Sequence, residues 1–196
     1  MVKIMRQLWN KAAQFLMSRG RKTGLEQELN RADITGKLAV PEIAAAARQM
    51  AADGIVVLKN QDDTLPIAPQ TRVAVFGRSA VDYFTVGYGS GGDVISPYRK
   101  NLMEGLVEHG VKVDGILASQ YETWCSRPRN VPDEGYWAHW PMSNPEMPLK
   151  ADQVAAAALR CDMALVVIGR AAGEARENVL KPGSYYLTQK EKAMLD

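Results

Sequence analysis

Residues Asp162 to Asn178 read DMALVVIGRAAGEAREN: six consecutive apolar residues, Met163 to Ile168, run straight into a loop of small residues that carries Glu174. A strand that is apolar on successive residues is usually covered on both faces, and in open α/β sheets ligands gather beyond the carboxyl ends of such strands. The stretch therefore predicts a buried parallel strand over 163–168, with Glu174 where chemistry is commonly done. A solvated loop glutamate is the other reading of the same position.

Working outward, helices and strands alternate. PEIAAAARQMAAD, residues 41–53, has Pro at a helix start and Gly54 as its stop, and the β-rich run Ile55 to Leu58 follows at once. The turn at Asp62-Asp63 and Leu65-Pro66 precedes a second strand, RVAVF, at 72–76. A helix is expected over Arg99 to His109, closed by Gly110, then a short strand over Val111 to Asp114 and a helix near Ile116 to Trp124. A Pro-rich connection leads to about Pro148, and the Ala-rich helix Ala151 to Arg160 feeds the strand at 163. This order implies a three-layer α/β/α sandwich with a mostly parallel sheet. At the far end, Thr188-Gln-Lys-Glu191 is a capping box that starts a helix, and the chain stops about two turns later, as expected of the front part of a longer protein.

The formal charge of +2 is unevenly spread. Met1 to Lys37 carries eight Lys/Arg against three Asp/Glu, which leaves sixteen against nineteen in the remainder. A slightly acidic body argues against nucleic acid, which wants a basic face to displace counterions. The leader, residues 1–40, places Ile4, Met5, Leu8, Trp9, Ala12, Phe15 and Leu16 at helical spacing among Lys3, Arg6, Lys11 and Arg19. It reads as an amphipathic helix, a candidate contact for a homo-oligomer, with no uninterrupted apolar run for a secretory signal or a membrane span. Cys125 and Cys161 stand alone, without the spacing of a metal set, and are expected to be reduced thiols of a cytoplasmic protein; no metal and no cofactor is expected.

Gly87, Gly89 and Gly92 satisfy the letter of G-x-G-x-x-G, but the dinucleotide fingerprint needs a turn that leaves a strand and opens directly into a helix. Here ten residues separate Phe76 from Gly87, and Asp-Val-Ile-Ser-Pro follows Gly92. The loop offers instead a backbone that a ligand can approach closely, with the Ser90 hydroxyl as donor and acceptor; a glycine-rich surface turn is the alternative.

AADGIVVLKN (51–60) with LPI (65–67), RVAVFG (72–77), GYGSGGDV (87–94) with NLMEGL (101–106), and DMALVVIGRAAGEAREN with GSYYLTQKE (162–191) follow one another with spacings that resemble the α/β-sandwich domain of glycoside hydrolase family 3. The resemblance covers 41–196 and implies part of a retaining, exo-acting β-glucosidase-like hydrolase of carbohydrate metabolism. It implies Glu174 as the general acid/base, and Ser90, Gly89, Gly91 and Asp93 as residues that line a β-glycoside or oligosaccharide substrate. The nucleophilic aspartate of the family comes from a (β/α)8 barrel, and a barrel of roughly 250 residues has no place in this chain. The chain alone is thus expected to be inactive, in a rearranged order with the sandwich ahead of the barrel. Ala175 and Glu177 depart from the glycine and aspartate common in the family. Arg170 and Arg176 flank Glu174 and would lower its pKa, against an acid role. Tyr121, Trp124, Tyr136, Trp137, His139 and Trp140 line an aglycone subsite or pack the long connection onto the sheet. A non-catalytic sugar- or partner-binding α/β domain is the alternative function, and a nucleotide-binding flavodoxin-like domain a more distant one.

Overall fold

The computed structural model describes residues 40–84, 98–131, 141–174 and 177–196. The chain divides into two compact units, Met1–Leu65 with Ile95–Arg99, and Pro66–Val94 with Lys100–Asp196. The leader predicted over 1–40 lies, apart from Val40, outside the described residues.

In the first unit, helix α1 spans Pro41–Asp53, with proline in its first turn and the Gly54 N–H donating to the Met50 carbonyl at its end. No strand follows. Ile55, Val56, Val57 and Leu58 form no regular element and are exposed, Leu58 to 93%, where a strand was expected. β-branched residues favour the extended backbone, but a strand exists only when a partner takes its hydrogen bonds, and no partner is paired to this run among the described residues.

The second unit is built on β1 (Arg72–Phe76), which lies between β2 (Lys112–Val113) and β3 (Met163–Val166), all parallel, in the order β2-β1-β3. Val73, Ala74, Val75 and Phe76 are all buried, so the centre of the sheet is β1. Val73 and Val75 pack with Met103 of helix α2 (Leu102–Glu108) and with Val111. On the other face, Ala74 and Phe76 pack with Leu117 and Tyr121 of helix α3 (Gly115–Ser126) and Ala157 of helix α4 (Ala151–Arg160). Helices on both faces make the expected three layers. Each fully buried Val or Phe here contributes roughly 1.5–3 kcal/mol.

β3 is shorter than the apolar run that predicted it, and it is half-buried on alternate residues rather than covered on both faces. It pairs only with β1 among the described strands. Helix α2 begins three residues later than expected because the Asn101 side chain accepts from the Glu104 N–H, and Glu104 accepts in return from the Asn101 N–H. Asp114 accepts from the Ile116 and Leu117 N–H groups at the start of α3 and from Arg160 at the end of α4, tying the two helices together. Burial pushes its carboxyl up, but the Arg160 bonds and the two amides outweigh this and hold it below the usual range.

Beyond Phe76 the backbone turns sharply. Gly77 has φ +105°, and a Cβ there would lie 2.0 Å from the Val167 carbonyl oxygen. Its N–H donates to the Tyr121 hydroxyl at 2.9 Å. Tyr121 is wholly buried, and burial raises its hydroxyl pKa to about 12. A 3-10 turn, Arg78–Ala80, follows, with the Arg78 N–H donating to Glu146 Oε2 at 2.7 Å. The buried Arg78 guanidinium pairs with Asp82, donates to the Pro145 carbonyl, and lies 5.4 Å over the Trp124 ring. Tyr121 therefore packs the core, and the half-buried Trp124 packs a buried cation; Tyr136, Trp137, His139 and Trp140 lie outside the described residues.

Two outcomes follow. Tyr121→Phe deletes the buried acceptor of the Gly77 N–H and should destabilise the protein by about 1–2 kcal/mol, measured by urea unfolding. Burial, together with the Glu191 charge, pushes the Glu146 carboxyl above its ordinary value despite the Arg78 N–H. The folded state then holds that proton more tightly than the unfolded one, so the stability it confers is complete in acid and is lost as pH rises through the raised pKa. Glu146→Gln keeps an acceptor for Arg78, so its Tm should gain on the parent as pH is raised from about 4 to about 7.

Candidate functional site

The site grows from the place where the carboxyl ends of β1 and β3 meet. The Val167 N–H donates to the Phe76 carbonyl at 2.8 Å, extending the β1–β3 ladder one step beyond the strand. Two residues on, a Cβ at Gly169 would lie 1.9 Å from Ser79 Oγ, so only glycine lets this exit pass the turn that follows β1. The Ala171 N–H then donates to the Met142 carbonyl, and Ala171 is buried. The chain next emerges: Ala172 is exposed, Gly173 half-buried, and Glu174 exposed in a turn.

Between these anchors stands Arg170, whose five N–H donors all have partners. Nε donates to the Ser184 carbonyl and Nη1 to the Gly169 carbonyl, both at 2.8 Å. Nη1 and Nη2 grip Glu191 Oε1 and Oε2 at 2.5 and 2.9 Å, and Nη2 also reaches the Tyr186 carbonyl. Glu191 belongs to helix α5 (Gln189–Leu195) and is itself buried. Its Oε2 accepts from the Thr188 N–H at 2.6 Å while its own N–H donates to Thr188 Oγ1, closing the capping box expected there. Burial pushes the Glu191 carboxyl up, yet the Arg170 and Thr188 bonds prevail and hold it below its usual value. The positive charge of Arg170 is thus matched by Glu191.

The return of the loop is compact. The Val179 N–H donates to Ser184 Oγ, Gly183 and Tyr186 bond each other's stretch through backbone groups, and Ser184 is buried. Tyr185 and Tyr186 stand edge to face with ring centres 5.2 Å apart, both exposed. Lys190 Nζ donates to the Glu146 carbonyl, joining α5 to the 141–148 segment.

Of the residues expected at the site, the structure places Glu174 on this loop; Gly89, Ser90, Gly91 and Asp93 lie outside the described residues, as does Arg176. Glu174 is exposed within this chain, so the partial desolvation expected of it is not supplied by the described residues. Chemically, the arrangement presents a carboxylate from a firmly rooted loop at the strand ends. No cluster of His, Cys, Asp or Glu fit to hold a metal is found among the described residues, and none of their helices is long and apolar enough to cross a membrane. Sequence reasoning missed the buried Arg170–Glu191 pair and the Arg78–Glu146 contact. The residues lie 21 and 68 apart in sequence, beyond any short-range spacing rule.

Known proteins agree with this architecture. Residues 55–196 match the family described as glycosyl hydrolase family 3 C-terminal domain. The chain is 37% identical over 159 residues to a β-glucosidase of Ruminococcus albus, covering 81% of this chain and 17% of that protein. It is 31% identical over 171 residues to β-glucosidase A of Butyrivibrio fibrisolvens, covering 75% and 20%. Among solved structures, a β-glucosidase from Paenibacillus barengoltzii superposes with a TM-score of 0.74 at 42% identity, over 80% of this chain and 17% of that one. β-Glucosidase 3B of Thermotoga neapolitana, in complex with α-D-glucose, superposes with a TM-score of 0.68 at 26% identity, over 81% and 22%. The chain spans about a fifth of the length of these relatives. With its parallel sheet, its two-sided helical cover and its matched sequence, the chain belongs to the glycosyl hydrolase family 3 C-terminal domain family.

Proposed function

We propose that this chain is the sandwich domain of a retaining, exo-acting β-glycosidase and that Glu174 is the general acid/base. The observation that carries the reading is Glu174 on an exposed turn four residues beyond Arg170, at the carboxyl ends of two adjacent parallel strands, with the Arg170 guanidinium bonded to Glu191. The β-glucosidases of Ruminococcus albus and Butyrivibrio fibrisolvens support the reaction class, and the glucose complex of the Thermotoga neapolitana enzyme supports a glucose-like substrate.

The chemistry needs a second carboxylate. In a retaining hydrolase one carboxyl attacks the anomeric carbon while the other, roughly 5–5.5 Å away, protonates the departing oxygen and later takes a proton from water. In this reading the nucleophile comes from a barrel domain, which also covers Glu174 and withdraws it from solvent. Two carboxyls at that range disfavour double ionisation, so the less solvated one keeps its proton at neutral pH. Gly89, Ser90, Gly91 and Asp93 are the residues that, in this reading, contact the sugar.

The test compares the complete gene product with its Glu174→Gln variant on aryl β-glucosides. With a phenyl leaving group, whose oxygen needs a proton, kcat/KM should fall by about 10²–10⁴-fold. With dinitrophenyl, which departs as a stable anion, the first chemical step should be largely spared. Equal rates for both proteins on both substrates would remove Glu174 from the mechanism, and no hydrolysis by the parent would favour a domain that binds sugar without cleaving it.

A further inference from the structure

We infer that Arg170, gripped by Glu191, is a positioning residue that fixes where Glu174 stands; this rests on the acid/base reading of Glu174. The chain leaves the sheet at Gly169-Arg170 and comes back at Ser184 to Tyr186, and Glu174 lies between these two limbs. One guanidinium closes the neck. It binds the Gly169 carbonyl on the outgoing limb, the Ser184 and Tyr186 carbonyls on the returning limb, and both oxygens of Glu191 on α5.

The fold does not need this clamp merely to hold β3 in place. The Val167 and Ala171 N–H groups already bind the Phe76 and Met142 carbonyls, and Gly169 already packs on Ser79. What Arg170 adds is a link between the two limbs, made by a single group. A planar fork suits the task, because its donors diverge in fixed directions toward three carbonyls and a bidentate carboxylate, and an ammonium cannot reproduce that set. Glu191 is in turn held by the Thr188 N–H, so its carboxylate is aimed before the arginine arrives. Precision at the neck matters because a general acid displaced by about 1 Å loses on the order of 10²-fold in rate.

The experiment uses the complete enzyme and three variants: Arg170→Lys, which keeps the charge and loses the fork; Glu191→Gln, which keeps the size and an acceptor for Thr188; and Glu174→Gln as the reference. The readout is the ratio of kcat/KM on dinitrophenyl to kcat/KM on phenyl β-glucoside, which reports the glycosylation step alone and which a purely structural role would not move. Both clamp variants should raise that ratio by about tenfold or more. Hydrogen exchange should also show the 171–174 amides losing protection while the 72–76 amides keep theirs. If either folded variant slows both substrates by one common factor, or only lowers Tm, the clamp is structural and the inference falls. If Glu174→Gln leaves the ratio unchanged, the acid/base reading falls with it; if Glu174→Gln raises the ratio and the clamp variants do not, only the clamp is wrong.

Discussion

The structure depends on the absence of two side chains. At Gly77 a Cβ would lie 2.0 Å from the Val167 carbonyl oxygen, and at Gly169 one would lie 1.9 Å from Ser79 Oγ. Those contacts are well inside van der Waals distance, so the segments leaving β1 and β3 approach this closely only with glycine at 77 and 169. Everything at the strand ends is arranged around that closeness. Tyr121 reaches the Gly77 N–H from α3, Glu146 reaches the Arg78 N–H from the 141–148 segment, and Arg170, next to Gly169, bonds Glu191.

The same crowding collects buried charge. Arg78, Glu146 and Glu191 are all nearly inaccessible, and removing such groups from water is costly unless partners replace the solvent. Each has been given one: Asp82 and the Trp124 ring for Arg78, an amide for Glu146, and Arg170 with Thr188 for Glu191. The two glutamates respond in opposite senses, one carboxyl held up and the other down, because only Glu191 has a cation bonded to it. Acid/base carboxyls are tuned by the same balance, and here it is spent on the ground from which Glu174 rises.

Much of this was legible in the sequence, and the reasons differ by element. RVAVF at 72–76 and the helices at 41–53 and 151–160 were readable to the residue, because a continuous apolar run at the centre of a sheet, a leading proline and an Ala-rich run are local signals. The capping box at Thr188 was equally local. Ile55 to Leu58 failed because β propensity describes a side chain, whereas a strand requires a neighbour. Met163 to Ile168 overpredicted a buried strand because edge and centre positions carry the same composition. Tyr121 fell on the packing side of the two readings given for it, which periodicity alone could not separate. The Arg170–Glu191 clamp was invisible, since both residues already had adequate local explanations: one as a loop cation, the other as half of a capping box.

The central claim is that this domain offers Glu174 across a sugar to a carboxylate on another domain. The most direct measurement is a crystal structure of the complete enzyme with glucose bound, from which the separation of the two carboxyls flanking the anomeric carbon is read. The account predicts that one of them is Glu174, its neck still closed by Arg170 and Glu191, at about 5–5.5 Å from the other. A Glu174 carboxyl standing about 9 Å or more from its counterpart, or another residue in its place at the glycosidic oxygen, would contradict it.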